Sequence, residues 1–127
     1  MTLHTIDEGI DTGDILVQRE VAQDPTDTGE SLYRKLETAS VELFRDSWPD
    51  IKANLIVPSP QDPGAGTYHR TWDVDKIDLI DPDATYRAGD LIDILRARTF
   101  PPYKGAYVEK DGRKTYLRLS LQQDGEP

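Results

Sequence analysis

LHTIDEGIDTGDIL, Leu3 to Leu16, runs from extended chain into a glycine-punctuated acidic loop and out again. Thr2 to Ile6 has strand character, the loop carries Asp7, Glu8, Asp11 and Asp14, and the apolar run from Ile15 to Val17 resumes the extended chain. The connection is short enough for an antiparallel pair. Gly9 and Gly13 are expected to take positive φ without steric cost, so that the backbone bends and holds Asp11 between the strands. A carboxylate held there can accept or pass a proton. By residue type alone, Asp11 reads as a plain turn residue, and His4 equally as a half-buried strand histidine. Calcium is a poor fit. An EF-hand loop needs Asp or Asn at its third position and Gly at its sixth, but counting from Asp7 these are Gly9 and Thr12, and counting from Asp11 the third is Gly13. No metal site is expected.

Outward from this stretch, Ile15 to Val21 alternates with period two, which predicts a strand with one wet face, and Asp24-Pro25 ends it. Asp27 is expected to cap a helix, with Glu30 completing a capping box. Leu32, Leu36, Ala39 and Leu43 form its core stripe, widened by Tyr33 and Phe44, and Pro49 is expected to end or kink it after Trp48. VPSPQDPGAG, residues 57 to 66, reads as a linker or surface loop. GTYHRTWD follows, and its Tyr68, His69, Arg70 and Trp72 can stack on a base and pair with phosphate, or pin the segment to the helix. A second helix is expected from about Thr85 to Thr99, with Ala88, Leu91, Ile92 and Leu95 on one face, until Phe100-Pro101-Pro102 stops it. Asp111-Gly112 suits a type I′ turn between Tyr107 to Lys110 and Arg113 to Leu121, leaving a polar tail from Gln122.

Composition narrows the function. With 24 acidic against 15 basic residues, the net charge of −9 makes a poor partner for a phosphate backbone, so nucleic acid is not favoured. The chain has no cysteine, which excludes disulfides and thiolate metal sites and is compatible with a cytoplasmic location. No segment approaches the roughly 18 apolar residues of a membrane span. Acidic residues arrive by Asp7 with no basic leader, unlike a signal peptide.

Thr2, His4, Asp7, Gly9, Asp11 and Gly13 together form T-x-H followed by D-x-G-x-D-x-G. In this the chain resembles the folate-dependent formyltransferase family, whose members act on methionyl-tRNA, glycinamide ribonucleotide or sugar nucleotides. LRARTFPPYKGAYV, Leu95 to Val108, resembles that family's joint between catalytic and C-terminal domains, with Tyr103-Lys104 where many members have aromatic-Pro. The P-Q and G-T-Y-H elements around Gln61 and Tyr68 resemble the sugar N-formyltransferase branch.

The resemblance implies an α+β chain. Its parts are an antiparallel strand pair from the edge of a Rossmann-like α/β domain, one long helix, then a helix plus β-hairpin. Residues 1–56 correspond to the later part of the catalytic domain, 57–84 to a linker segment, 85–121 to a small helix and hairpin region, and 122–127 to a tail. It implies that Asp11 assists proton transfer with His4 beside it, that Asp7, Glu8 and Ile10 border the folate, and that Tyr68, His69, Arg70 and Trp72 meet the substrate. The co-substrate is 10-formyltetrahydrofolate and the acceptor a small-molecule amine, an amino sugar on a nucleotide. The family's other catalytic residues, an Asn and a His in N-x-H-P-S-x-L-P, have no counterpart among these residues. They stabilise developing negative charge, and losing one such donor costs about a hundred- to a thousandfold. The bare chain is therefore expected to be inactive and to associate as a homodimer or with a chain supplying the N-terminal half. The alternatives are a non-catalytic oligomerisation or ligand-binding module, or part of a methionyl-tRNA formyltransferase.

Overall fold

The computed structural model describes residues 1–125, so the last two residues of the polar tail lie outside the described residues. Two compact units emerge, one from Met1–Ala22 with Arg34–Tyr68, the other from Gln23–Tyr33 with the chain from His69 onward. The long helix α1, Gly29–Lys52, contributes residues to both.

In the first unit, strands β1 (Thr2–His4) and β2 (Ile15–Gln18) pair antiparallel. Leu3 faces Val17 but His4 faces Ile15, so the register slips by one residue at His4. Such a bulge re-aims the side chain beside it. Both strands stop short of the expected Ile6 and Val21. Beyond His4 the Thr5 N–H still bonds across by backbone, donating to Asp14 O at 2.9 Å. The Pro- and Gly-rich segment also joins this sheet. Ser59 and Ile15 exchange two backbone hydrogen bonds of 2.8 Å. Pro58 and Pro60 have no N–H to donate, so the pairing is confined to the residue between them.

The body of α1 follows its stripe: Ala39, Leu43 and Ser47 are buried at successive i, i+4 positions. Its flanks do not. Phe44 is about half exposed and stacks on Trp48 with centroids 5.3 Å apart, while Tyr33 meets Phe100 edge-on. The cap sits one residue later than expected. Thr28 precedes the first helical residue and exchanges bonds with Ser31, which takes the place expected for Glu30. Asp27 is buried instead and accepts from the Asp24 N–H at 2.7 Å and the Ser31 hydroxyl at 2.8 Å. Pro49 neither ends nor breaks the helix, since it removes one donor while its own carbonyl still accepts from Ala53. The end comes where Asn54 turns left-handed, φ 58°, with Asn54 N–H bonded to Ile51 O and Leu55 N–H to Asp50 O. That pair of bonds is a Schellman cap.

The second unit contains a 3₁₀ turn at Thr71–Val74, the one-turn helix α2 (Asp75–Asp78), helix α3 (Ala88–Ala97) and strands β3 (Tyr107–Lys110) and β4 (Arg113–Tyr116). The turn and α2 occupy part of the stretch expected to be a linker. In α3, Leu91, Ile94 and Leu95 are half-buried while Ile92 points outward, so the buried face is rotated from the one expected. Asp111 and Gly112 have φ 51° and 71°, the two positive values a type I′ turn requires. Strand pairing ends at Tyr116, but Leu117 N–H still donates to Ala106 O at 2.8 Å, and Leu117, Leu119 and Leu121 stay half-buried between exposed neighbours. Ala106 and Ile80 are the buried apolar residues of this unit, and the Ile80 N–H donates to Tyr107 O at 2.8 Å. Arg98 clasps Asp78 with two donors, the second at 3.0 Å, and the Asp78 oxygens hold the guanidinium above its ordinary pKa. Gly105 lies so close to Arg98 that a Cβ would overlap its carbonyl oxygen.

Candidate functional site

The site is built on the loop between β1 and β2. His4 leaves the sheet at the bulge. Its Nδ1 lies 2.7 Å from Thr5 O, and because a carbonyl can only accept, that nitrogen carries the proton. Nε2 then faces outward, 3.6 Å from Asp11 Oδ1. His4 and Asp11, the two candidate catalytic residues, are therefore neighbours. The Asp11 side chain is 85% exposed, so a reacting group can reach it.

Asp11 is held by its surroundings in a conformation that aspartate adopts only at a cost. Its φ is 56°, in the left-handed region. The expected positive φ thus falls on Asp11 itself and not on Gly9 or Gly13. The glycines are needed for room: a Cβ on Gly13 would overlap the Thr5 carbonyl, and one on Gly9 the Thr12 hydroxyl. Left-handed backbone is tolerated by Asp better than by most residues but still costs roughly 1 kcal/mol.

Two polar centres offset that cost. Asp7 Oδ1 accepts from the Thr12 hydroxyl at 2.6 Å and from the Gly9 N–H at 2.9 Å. These bonds, the hydroxyl first, hold the Asp7 carboxyl below the usual carboxylate range. The second centre is the Gln61 amide, which donates to Asp11 O at 3.0 Å and to Gly13 O at 2.5 Å. Sequence reading singled out Gln61 for its motif but gave it no role, since nothing local shows that it reaches a loop some fifty residues earlier.

A cavity of about 170 Å³ opens on this loop, lined by residues that include His4, Asp7, Ile10 and Asp11 but not Glu8. That is below the roughly 300 Å³ at which small-molecule sites usually begin. By itself this loop does not enclose a small molecule. Ile10, 77% exposed, gives the cavity an apolar rim. Among the described residues, no group of three or more His, Asp or Glu is arranged to hold a metal ion.

Of the residues expected to meet the substrate, Tyr68 belongs to the same unit as this loop, and His69, Arg70 and Trp72 belong to the second unit. Tyr68 and Trp72 are exposed, at 73% and 58%. The Arg70 guanidinium lies 5.1 Å from the centroid of the Trp72 ring. Asp73 accepts from Lys76 Nζ at 2.6 Å and from the Arg70 N–H at 2.8 Å, and both lower its pKa, Lys76 the more. The second unit thus presents an indole with a cation over it.

Residues 1–47 match the family model described as formyl transferase, and residues 73–123 match that of the N-formyltransferase dimerization C-terminal domain. A methionyl-tRNA formyltransferase from Anaeromyxobacter dehalogenans is 33% identical over 113 residues, 89% of this chain and 35% of its own length. The crystal structure of a 4-N formyltransferase from Francisella tularensis matches with a TM-score of 0.86 and 35% identity, covering 96% of this chain and 50% of that one. A third likeness, with TM-score 0.55 and 41% identity over 59% of this chain and 39% of that one, is to the formyltransferase PseJ from Anoxybacillus kamchatkensis. That structure was solved in complex with UDP-4,6-dideoxy-4-formamido-L-AltNAc and tetrahydrofolate. The chain spans about a third to a half of the length of these proteins. No helix among the described residues is long and apolar enough to cross a membrane.

Proposed function

We propose, from the premise that the chain belongs to the formyltransferase family, that it supplies the Asp11 loop to a transferase moving a formyl group from 10-formyltetrahydrofolate to the amine of an amino sugar nucleotide. The observation that carries this is the approach of Asp11 to His4 Nε2 on an exposed loop inside the matched residues.

When bound, 10-formyltetrahydrofolate provides the activated formyl group. The exposed Ile10 surface and the peptide groups of the Asp7–Ile10 stretch fit an edge of its flat heterocycle, which needs an apolar wall with a few hydrogen-bonding groups. The Asp11 carboxylate accepts the proton that the attacking amine gives up as its nitrogen bonds to the formyl carbon, while the bond from that carbon to the folate nitrogen breaks. His4 Nε2, 3.6 Å away, bears a lone pair when its Nδ1 is protonated, and it relays that proton toward the departing folate nitrogen, which leaves protonated as tetrahydrofolate. Proton transfer by a positioned group contributes about a hundred- to ten-thousandfold.

The acceptor is assigned on charge. A protein with net charge −9 repels a transfer RNA but can hold one pyrophosphate locally. Arg70 and the Trp72 face are suited to a nucleotide's phosphate and base. The Asn and His that stabilise developing charge in the family have no counterpart here, so we expect these 127 residues alone to be inactive and to act with a part that carries them. A match to a dimerization domain over 73–123 and the half-exposed Phe44 and Trp48 favour association, as a homodimer or with that part. We assign the reaction to the cytoplasm, in keeping with a chain free of cysteine. The test is a formyl-transfer assay on the enzyme assembled with the Asn- and His-bearing part. UDP- or dTDP-amino sugars should be formylated and methionyl-tRNA should not. The reverse preference would move the chain to the tRNA branch.

A further inference from the structure

We infer that Gln61 is a positioning residue for Asp11, setting the direction of its carboxylate from the far side of the loop. This rests on the proton-transfer role proposed for Asp11. One amide nitrogen has two hydrogens, and Gln61 Nε2 spends both on the loop, on Asp11 O at 3.0 Å and Gly13 O at 2.5 Å. Both acceptors are carbonyls, so the amide orientation is fixed with nitrogen toward the loop. The two bonds fix the Asp11–Thr12 and Gly13–Asp14 peptide planes, one on each side of the Thr12–Gly13 peptide.

The consequence for chemistry comes through the backbone. Asp11 stays at φ 56° only while its neighbours hold it there, and a side chain's direction follows its own φ and ψ. On the near side, Thr12 is tied by its hydroxyl to Asp7. On the far side Gln61 makes the side-chain bonds, and it is itself anchored two residues away, where Ser59 exchanges two 2.8 Å bonds with Ile15. Ser59 therefore sets the register, and Gln61 transmits it to Asp11. If the clamp is released, Asp11 can relax toward ordinary right-handed φ, and its carboxylate leaves His4 Nε2.

The test is a double-mutant cycle on turnover in the assembled enzyme, with Asp11→Asn, Gln61→Leu and the pair. Gln61→Leu removes both donors at similar volume. It should lower kcat about ten- to fiftyfold with KM for both substrates little changed, since two hydrogen bonds of ordinary net strength are lost. Combined with Asp11→Asn it should add almost nothing, because a positioning residue has no effect once its object is gone. Gln61→Glu turns a carboxylate toward two carbonyls and should lower kcat further, with the protein still folded by its melting transition. The inference is overturned if Gln61→Leu leaves kcat unchanged, or if its loss multiplies fully with that of Asp11→Asn, as a general structural defect would. If Asp11→Asn itself turns over normally, the Asp11 assignment fails first and takes the Gln61 role with it.

Discussion

The Asp11 loop and the Arg98–Asp78 clasp are both ordered by charged and polar side chains, yet they use them in opposite directions. In the loop, Asp7 and Thr12 bond to each other and Gln61 bonds to backbone, and the Asp11 carboxylate, beside His4, points into solvent at 85% exposure. At the clasp, Asp78 is 12% and Arg98 23% exposed by side chain, and the pair belongs to the same unit as buried Ala106 and Ile80. Charges satisfied inward hold a fold together. A charge held outward on a scaffold of satisfied neighbours is available for chemistry. Substitutions at the clasp should therefore be read in stability, and substitutions in the loop in turnover.

The largest effect on stability should come from Asp78→Ala, which leaves the Arg98 guanidinium partly buried without its partner. Breaking such a pair costs about 3 kcal/mol, so the thermal midpoint should fall by on the order of 10 °C. A fall of only a degree or two would mean that the clasp is a surface pair. Next comes Gly13→Ala, where the added methyl meets the Thr5 carbonyl. Overpacking of this kind costs about 1–3 kcal/mol, but the loop can shift to relieve it. The melting point should then move little while formyl transfer by the assembled enzyme falls severalfold. Equal losses in both would erase the contrast between the regions. Gly112→Ala, at φ 71° in the hairpin turn, should cost about 1 kcal/mol through backbone strain alone and leave turnover intact.

The mildest probe is acid. Asp7 has its pKa lowered by the Thr12 hydroxyl and the Gly9 N–H. A depressed carboxylate stabilises the fold above the unfolded value of about 3.9, and that contribution disappears as pH falls through the lower folded value. The amide signals of Gly9 and Thr12 should therefore hold steady from neutral pH to about 4 and move together below it, with no global unfolding at that point. Movement well above that window would assign the loop's order to another group.

The body of the fold was legible where a period repeats. Leu32, Leu36, Ala39 and Leu43 announce α1, and Asp111-Gly112 announces the hairpin, because each is decided by local geometry. The ends of α1 were not. Asp27 and Thr28 are both able to cap, and the choice fell on Thr28 because Asp27 is engaged by Asp24 and Ser31. Pro49 reads as a stop, yet one missing donor is a small loss against a helix that continues to Lys52. In the site, Asp11, His4 and Asp7 were singled out only because their motif resembles that of a family; by residue type alone Asp11 reads as a turn residue. The reason for Gly9 and Gly13 was misread, since a glycine chosen for room looks the same in sequence as one chosen for φ. Ser59 and Gln61 carry no local period at all. Their contacts with Ile15, Asp11 and Gly13 exist only once the chain has folded back on itself.

The central claim is that Asp11 is the proton-accepting group of a formyl transfer, and its most direct test is the turnover of Asp11→Asn in the assembled enzyme with an amino sugar nucleotide. Asparagine keeps the size and tolerates the left-handed φ, so the loop should survive and folate binding should persist. Turnover should fall by about a hundredfold or more. Near-normal turnover with the loop intact would contradict the account.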